Sequence, residues 1–119
     1  MPKNLKMAPL IELYAGVLTD KQREVIELYY FEDLSLAEIA EHSGITRQGV
    51  RDAIKRGETI ITELESQLGF LKRQNESARA FEEIRAQAKE ILLLNDKLNY
   101  SDRIALAADK IVGVVDSME

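Results

Sequence analysis

The chain has 119 residues, of which 45% are hydrophobic, and a formal net charge of −5. This length suits one compact domain or a small domain with a helical appendage. The sequence has no cysteine and a single histidine, His42, which excludes disulfides and thiolate metal sites and argues against Cys-His or Ser-His-Asp catalysis. We therefore predict a protein that is not an enzyme, with no catalytic residue, no metal and no cofactor.

The hydropathy pattern predicts a soluble, all-α protein. No apolar run approaches the ~20 residues needed to span a membrane, and the N-terminal stretch lacks the apolar segment and cleavage site of a secretory signal. Proline occurs only at Pro2 and Pro9, and strand-like alternation is absent. We expect a cytoplasmic protein that makes no membrane contact.

Two helices are predicted at the N-terminal end. The first begins near Pro9, because proline suits the first turn of a helix. Thr19 followed by Gln22 forms a capping box that opens the second. The apolar positions expected to face the core are Leu10, Leu13, Tyr14, Val17 and Leu18 in the first helix and Val25, Leu28 and Tyr29 in the second.

The segment from Ser35 onward predicts a helix-turn-helix. Ser35 and Glu38 form a second capping box, Gly44 ends that short helix, and Thr46 caps a third helix with no breaker before Gly69. We assign its first part, about residues 46–62, as the recognition helix. The residues predicted to form the motif core are Ile39, Ala40, Gly44, Ile45, Val50 and Ile54. The alternative is an αα-hairpin without a nucleic-acid role.

Positive charge along the third helix favours nucleic-acid binding. Arg47, Arg51 and Lys55 recur at i, i+4 and i+8, so they form one stripe on the face opposite the apolar residues. Like charges at this spacing destabilise an isolated helix, so helix stability alone does not explain the stripe. The alternative to nucleic-acid binding is that the stripe is an ordinary solvated helix face. Asp52 is at the right spacing to pair with Arg56 at i+4 or Lys55 at i+3.

The geometry of such motifs predicts individual roles in the major groove of double-stranded DNA. Residues at the start of the recognition helix reach base edges, and residues farther along contact phosphates. The predicted base-reading or close-approach positions are Arg47, Gln48, Gly49 and Arg51. The predicted backbone-contact positions are Thr46, Lys55 and Arg56, with Lys21 and Arg23 as weaker candidates.

The C-terminal region, residues 69–119, is predicted to be a helical tail that serves packing or dimerisation, following a DNA-binding domain over residues 1–68. We interpret residues 71–79 as a polar connection, Ser77 as the cap of the next helix, and residues 95–100 as a break. Ser101 is predicted to cap the last helix. Its apolar face is Ile104, Ala108, Ile111 and Val115.

An apolar seam with heptad-like spacing continues beyond the recognition segment. Its members are Ile54, Gly57, Ile61, Leu64, Leu68 and Leu71. The seam either packs on the C-terminal helices of the same chain or buries the tail of a second copy across a two-fold axis. We favour the homodimer, because helix-turn-helix proteins often pair to read two half-sites.

The stretch LTDKQREVIELYYFEDLSLAEIAEHSGITRQGVRDAIKR, Leu18 to Arg56, resembles region four of bacterial sigma factors. The segments LTDKQ, ELYY, SLAEIA and RQGVRDAIKR more closely resemble the YlxM family of small bacterial helix-turn-helix proteins. The resemblance implies a DNA-binding regulator that is connected, through gene neighbourhood, with the signal recognition particle pathway. A non-DNA adaptor for a protein or ribonucleoprotein of that pathway is the alternative. Arg51 stands where the family commonly has an aromatic residue, so no inherited base preference is implied.

Overall fold

A computed structural model describes residues 3–98 and 100–119 of the protein. Over those residues it has six α-helices, one 3-10 turn and no strand, which confirms the predicted all-α class. The elements are α1 Met7–Tyr14, the 3-10 turn Ala15–Val17, α2 Asp20–Tyr30, α3 Leu36–Ser43, α4 Arg47–Leu68, α5 Phe70–Lys97 and α6 Asp102–Met118. None of the described helices combines the length and apolar composition needed to cross a membrane.

The chain divides into two compact units, the first ending at Leu71 and the second running from Lys72 to Glu119. The core of the first unit consists of two adjoining clusters of buried side chains. One cluster contains Met7, Ile11, Tyr14, Ala15, Leu18, Ile26 and Ile61. The other contains Val25, Tyr29, Ile39, Val50 and Ile54. Every member precedes Leu71, so the first unit has a complete core of its own.

Local capping signals placed most helix starts correctly. Thr19 forms a capping box with Gln22, and Ser35 forms one with Glu38. In each box the side chain of either residue accepts a hydrogen bond from the backbone N–H of the other. These bonds satisfy N–H groups that have no partner inside the helix. The predicted starts of α2 and α3 are therefore confirmed.

The predicted start of α1 near Pro9 is confirmed to within two residues, whereas its predicted buried face is confirmed only in part. The helix begins at Met7, two residues before Pro9, and Met7, Ile11 and Tyr14 are the buried positions. Pro9 fits within the first turn, where its missing N–H has no helical acceptor in any case. The buried stripe runs through Met7, Ile11, Tyr14 and Leu18 at spacings of four, three and four residues. Of the five predicted positions, Tyr14 and Leu18 are therefore buried and Leu10 packs beside them, whereas Leu13 and Val17 lie off this stripe and are exposed.

Two contacts hold α4 against α2, and they explain why the first residues of the heptad-like seam on α4 are buried. Gly57 is buried, and a Cβ atom there would lie 3.1 Å from Cδ1 of Ile26, so any larger residue would crowd this contact. One residue later, Glu58 Oε1 accepts a hydrogen bond of 2.7 Å from the Tyr30 hydroxyl. Burial and this hydrogen bond raise the pKa of the Tyr30 phenol. The buried start of the seam therefore packs on the N-terminal helices and not on the tail.

The predicted connection over residues 71–79 and the predicted cap at Ser77 were both wrong. Only Gly69, which has a left-handed φ of 63°, separates α4 from α5. The first N–H groups of α5 still belong to the first unit and are bound there by side chains of α1 and α4: Phe70 N–H donates to the Tyr14 hydroxyl, and Leu71 N–H donates to Glu65 Oε1 at 3.0 Å. Because these groups are already satisfied, α5 needs no serine cap. Its polar first half is mostly made of good helix formers, and it stays helical.

The second unit is an antiparallel pair formed by α5 and α6. The Asn95 side chain closes their connection, since its Nδ2 donates to the Ser101 carbonyl and its Oδ1 accepts from the Ser101 N–H. At the other end of the pair, the Arg85 guanidinium donates to Asp116 and Glu119. The predicted Ser101 cap is confirmed, but α5 runs through Lys97, so the break is shorter than predicted. Position 99, within that break, lies outside the described residues.

Candidate nucleic-acid interface

The turn between α3 and α4 is set by one glycine. Gly44 has φ 68° and ψ 31°, a left-handed conformation that costs other L-residues energy. The N–H of Ile45 then donates to the Ala40 carbonyl at 3.2 Å. A turn of only three residues, 44–46, thus brings α4 back across α3, which is the geometry of a helix-turn-helix.

Apolar side chains behind the turn fix which face of α4 is exposed. Ile39 on α3 and Val50 and Ile54 on α4 are all fully buried in one cluster. Ala40 and Ile45 pack against the same cluster and are partly buried. Since these residues anchor one side of α4, the residues on its opposite side must face solvent.

The exposed side of α4 carries four cationic side chains. Arg47, Arg51, Lys55 and Arg56 are all exposed, and among the residues that the structure describes none of them has an ion-pair partner. Segment 47–56 has four cations and Asp52, a net charge of +3, which leaves −8 for the remainder of the −5 chain. The protein therefore concentrates free positive charge on one helix face.

Asp52 forms neither of the two ion pairs that its spacing allows. Its Oδ1 accepts a hydrogen bond of 2.9 Å from the side-chain amide of Gln48, one turn earlier. Gln and Asp at this spacing are on the same side of a helix and bond readily. This contact leaves Lys55 and Arg56 unpaired, and it occupies the Gln48 amide that the sequence assigned to base reading.

Thr46 and Gly49 act together at the start of α4. The Thr46 hydroxyl accepts a hydrogen bond of 2.9 Å from the N–H of Gly49, which confirms the predicted cap. A Cβ atom at position 49 would lie 3.2 Å from that hydroxyl oxygen, so glycine leaves room for the cap. The structure thus gives Gly49 an intramolecular reason, distinct from the close approach to DNA predicted for it.

Lys21 and Arg23, at the start of α2, are already engaged within the protein. The Lys21 ammonium donates to the Ser43 carbonyl at 3.1 Å and lies 3.4 Å from Glu24 Oε2. The Arg23 guanidinium donates to Glu27 at 2.9 Å. Lys21 therefore holds the start of α2 to the end of α3, and both cations are partly neutralised.

The structure adds two residues that the sequence analysis did not select. Gln22 on α2 and Thr59 on α4 line a shallow groove of 310 Å³ together with Lys55, Arg56 and Ile60. Thr59 follows Lys55 by one turn, a spacing that is visible in the sequence. Gln22 joins the group only because α2 packs on α4, so no local signal could have identified it.

A metal site is not assembled in the described part of the chain. No three His, Asp or Glu side chains there are placed to share a metal ion. His42 is exposed on α3, with Nδ1 3.5 Å from Glu24 Oε1. The candidate site is thus a surface of donors and cations, suited to anion recognition.

Comparison with known proteins agrees with this geometry. Residues 1–100 match the family described as "Putative helix-turn-helix protein, YlxM / p13 like", UPF0122. The chain is 39% identical to a UPF0122 protein of Clostridium kluyveri over 111 residues, 93% of both chains. It is 42% identical over 97 residues to a UPF0122 protein of Streptococcus agalactiae, covering 82% of this chain and 88% of the relative. The chain belongs to the YlxM/p13-like family of helix-turn-helix proteins.

Proposed function

We propose that this protein is a non-catalytic DNA-binding regulator that inserts α4 into the major groove of double-stranded DNA. The observation that carries the proposal is the unpaired cationic face of α4, exposed beside a glycine-closed turn in an otherwise acidic chain. Transcription regulation in the bacterial cytoplasm is the role that such binding would serve.

Position along α4 assigns the contacts. Arg47 and Arg51 lie in its first two turns and read base edges, where arginine can bond guanine at two points. Gln48 reads adenine after its amide leaves Asp52. Lys55 and Arg56, beside the groove that Gln22 and Thr59 complete, bind phosphate.

The remaining candidates contribute at the edges of this surface. The N–H groups in the first turn of α4 that the Thr46 cap does not bind face a phosphate at the start of this helix. Lys21 and Arg23 add weaker backbone contacts, because each already shares its charge with a glutamate. Negative charge elsewhere on the protein repels DNA from other faces and keeps binding directed to α4.

The first test is the salt dependence of binding to duplexes selected from a random pool by the full chain. Neutralising about four phosphates should give a slope of about −3 to −4 for log affinity against log salt. We expect one enriched sequence and that slope. Weak binding that does not change with salt would overturn the proposal.

The second test removes the two base-reading arginines together. Arg47→Ala plus Arg51→Ala should cost at least about 100-fold in affinity for the selected duplex, because each bidentate pair is worth about 1–3 kcal/mol. Both side chains are exposed, so helicity should be unchanged. Arg79→Ala plus Lys89→Ala, which removes the same charge from α5, is the matched control and should bind almost normally.

A second candidate is an adaptor that uses the same helices to bind a protein or ribonucleoprotein of the signal recognition particle pathway. The carboxylate of Asp52 favours it, since this group lies within the cationic surface, where it would repel a phosphate but could pair with a basic side chain. If the double arginine variant folds and still binds such a partner, while neither form selects DNA, the adaptor function replaces the regulator.

We also propose that the protein acts as a homodimer. In this proposal residues 1–68 read DNA and residues 69–119 serve packing and pairing, so that two recognition helices reach two half-sites about one helical turn apart. The exposed apolar side chains of the second unit support this division.

A further inference from the structure

The second unit leaves one long side of its helix pair apolar and uncovered. Large side chains lie along that side on both helices, each between 39% and 79% exposed. On α5 they are Ile84, Ile91, Leu94 and Leu98, and on α6 they are Ile104, Ile111, Val114 and Met118. We call these eight residues the apolar face. They line two successive grooves between the helices, of 330 and 260 Å³.

The positions of the apolar face follow one pattern on both helices. The spacing is seven, three and four residues from Ile84 on α5, and the same seven, three and four from Ile104 on α6. Seven residues are close to two helical turns, so each set forms a single stripe. The two stripes lie on the same side of the antiparallel pair and make one surface of even width.

The second unit cannot bury this surface by itself. Among the described residues of this unit, the buried ones are Ala88, Asn95, Ala108 and Val115. Eight partly exposed large side chains present on the order of 600 Å² of apolar surface, at the upper end for a monomer and close to the roughly 800 Å² that each partner gives to a standard interface. The surface therefore needs a cover of about its own size.

We propose that the cover is the same apolar face of a second copy, so that two α5–α6 pairs form a four-helix bundle across a two-fold axis. Half of such a bundle is a helix pair with one open apolar side, which is what the second unit presents. This inference rests on the homodimer proposed above and not on DNA binding. It assigns the dimer interface to the second unit alone. The sequence analysis instead suggested that the apolar seam on α4 packs against the tail of the second copy.

The charges that border the apolar face select one arrangement of the copies. Glu83 and Glu90 border its α5 side, and Arg103 and Lys110 border its α6 side, all four exposed. Packing α5 on α5 of the second copy would therefore oppose like charges. Packing α5 on α6 of the second copy opposes unlike charges.

The level of these charges along the helices agrees with that choice. Arg85 on α5 contacts Asp116 on α6, and the two helices run in opposite directions. Glu90, five residues after Arg85, therefore lies at about the level of Lys110, six residues before Asp116. A two-fold axis parallel to the helices keeps that level unchanged. Glu90 of each copy then meets Lys110 of the other, which forms the pair twice.

The test begins with the mass of the full chain by light scattering. We expect twice the 13.5 kDa chain mass. Leu94→Glu should return the protein to a monomer, because it puts a carboxylate in the middle of the apolar face. Leu93→Glu is the matched control: Leu93 is equally exposed but points to the opposite side of α5, so this variant should remain a dimer.

Charge exchange provides a second test that does not depend on the stability of the core. Glu90→Lys and Lys110→Glu should each raise the dimer dissociation constant roughly tenfold, and the two together should restore it. A double variant no tighter than the single ones would overturn the packing of α5 on α6.

The outcomes separate this inference from the homodimer itself. If the wild-type chain is a monomer, the homodimer and this interface both fail, and the apolar face belongs to a different protein. If the wild type is a dimer but Leu93→Glu and Leu94→Glu behave alike, only the interface is overturned. Selection of DNA by the chain is measured separately and decides neither result.

Discussion

At the scale of single residues, close packing decides where glycine is required. Gly57 and Gly113 both lie inside helices, where glycine normally weakens a helix by about 1 kcal/mol relative to alanine. At Gly57 an added Cβ would press on Ile26, whereas at Gly113 no atom lies within 4 Å of the added Cβ. Only the first glycine is therefore explained by its contacts.

We expect Gly57→Val to lower the free energy of unfolding by about 1–3 kcal/mol, because the branched side chain overpacks the contact between α2 and α4. The matched substitution Gly113→Val should change it by no more than about 0.5 kcal/mol. Urea unfolding followed by circular dichroism measures both. Equal effects at the two positions would show that helix propensity, and not the Ile26 contact, governs position 57.

At the scale of elements, helix ends determine how the chain turns. Gly44 and Gly69 are the two glycines with positive φ, and each ends a helix with the next one following almost directly. Sequence signals predicted both ends correctly. They failed for the start of α5, because its first N–H groups are bound by two side chains outside α5. Tyr14 is distant in sequence, on α1, and Glu65 is on the preceding helix, α4.

Gly44→Ala should destabilise the first unit by about 1–2 kcal/mol, since alanine is strained in the left-handed conformation. Gly44→Asn should lose less, because asparagine tolerates that region better than other side chains. Gly16→Ala, in a turn with open space around it and no positive φ, is the control and should be nearly neutral. The midpoint of urea unfolding reports each change. A Gly44→Ala protein as stable as wild type would refute the conformational argument.

At the scale of the whole molecule, the two units differ in how complete they are. Both core clusters of the first unit are built from residues before Leu71. Over its described residues, the second unit buries two alanines, one valine and one asparagine and leaves its apolar face open. The first unit should therefore be stable alone, whereas the second depends on association.

A fragment of residues 1–71 should be helical, monomeric and cooperative in thermal unfolding, because it keeps every member of both clusters. A fragment of residues 1–60 is the control, since it lacks the fully buried Ile61 and should lose cooperativity. Circular dichroism and light scattering distinguish the two. A longer fragment that is unfolded would show that the second unit contributes to the stability of the first.

The sequence by itself determined the helical class, the capped ends of α2, α3, α4 and α6, and the cationic stripe from Arg47 to Lys55. These features depend on contacts within one or two helical turns, where residue type and spacing decide the outcome. Only the tertiary structure decided that Gln22 joins the groove beside Lys55 and that α5 starts at Phe70. Both depend on which helices lie side by side, and local spacing does not fix that.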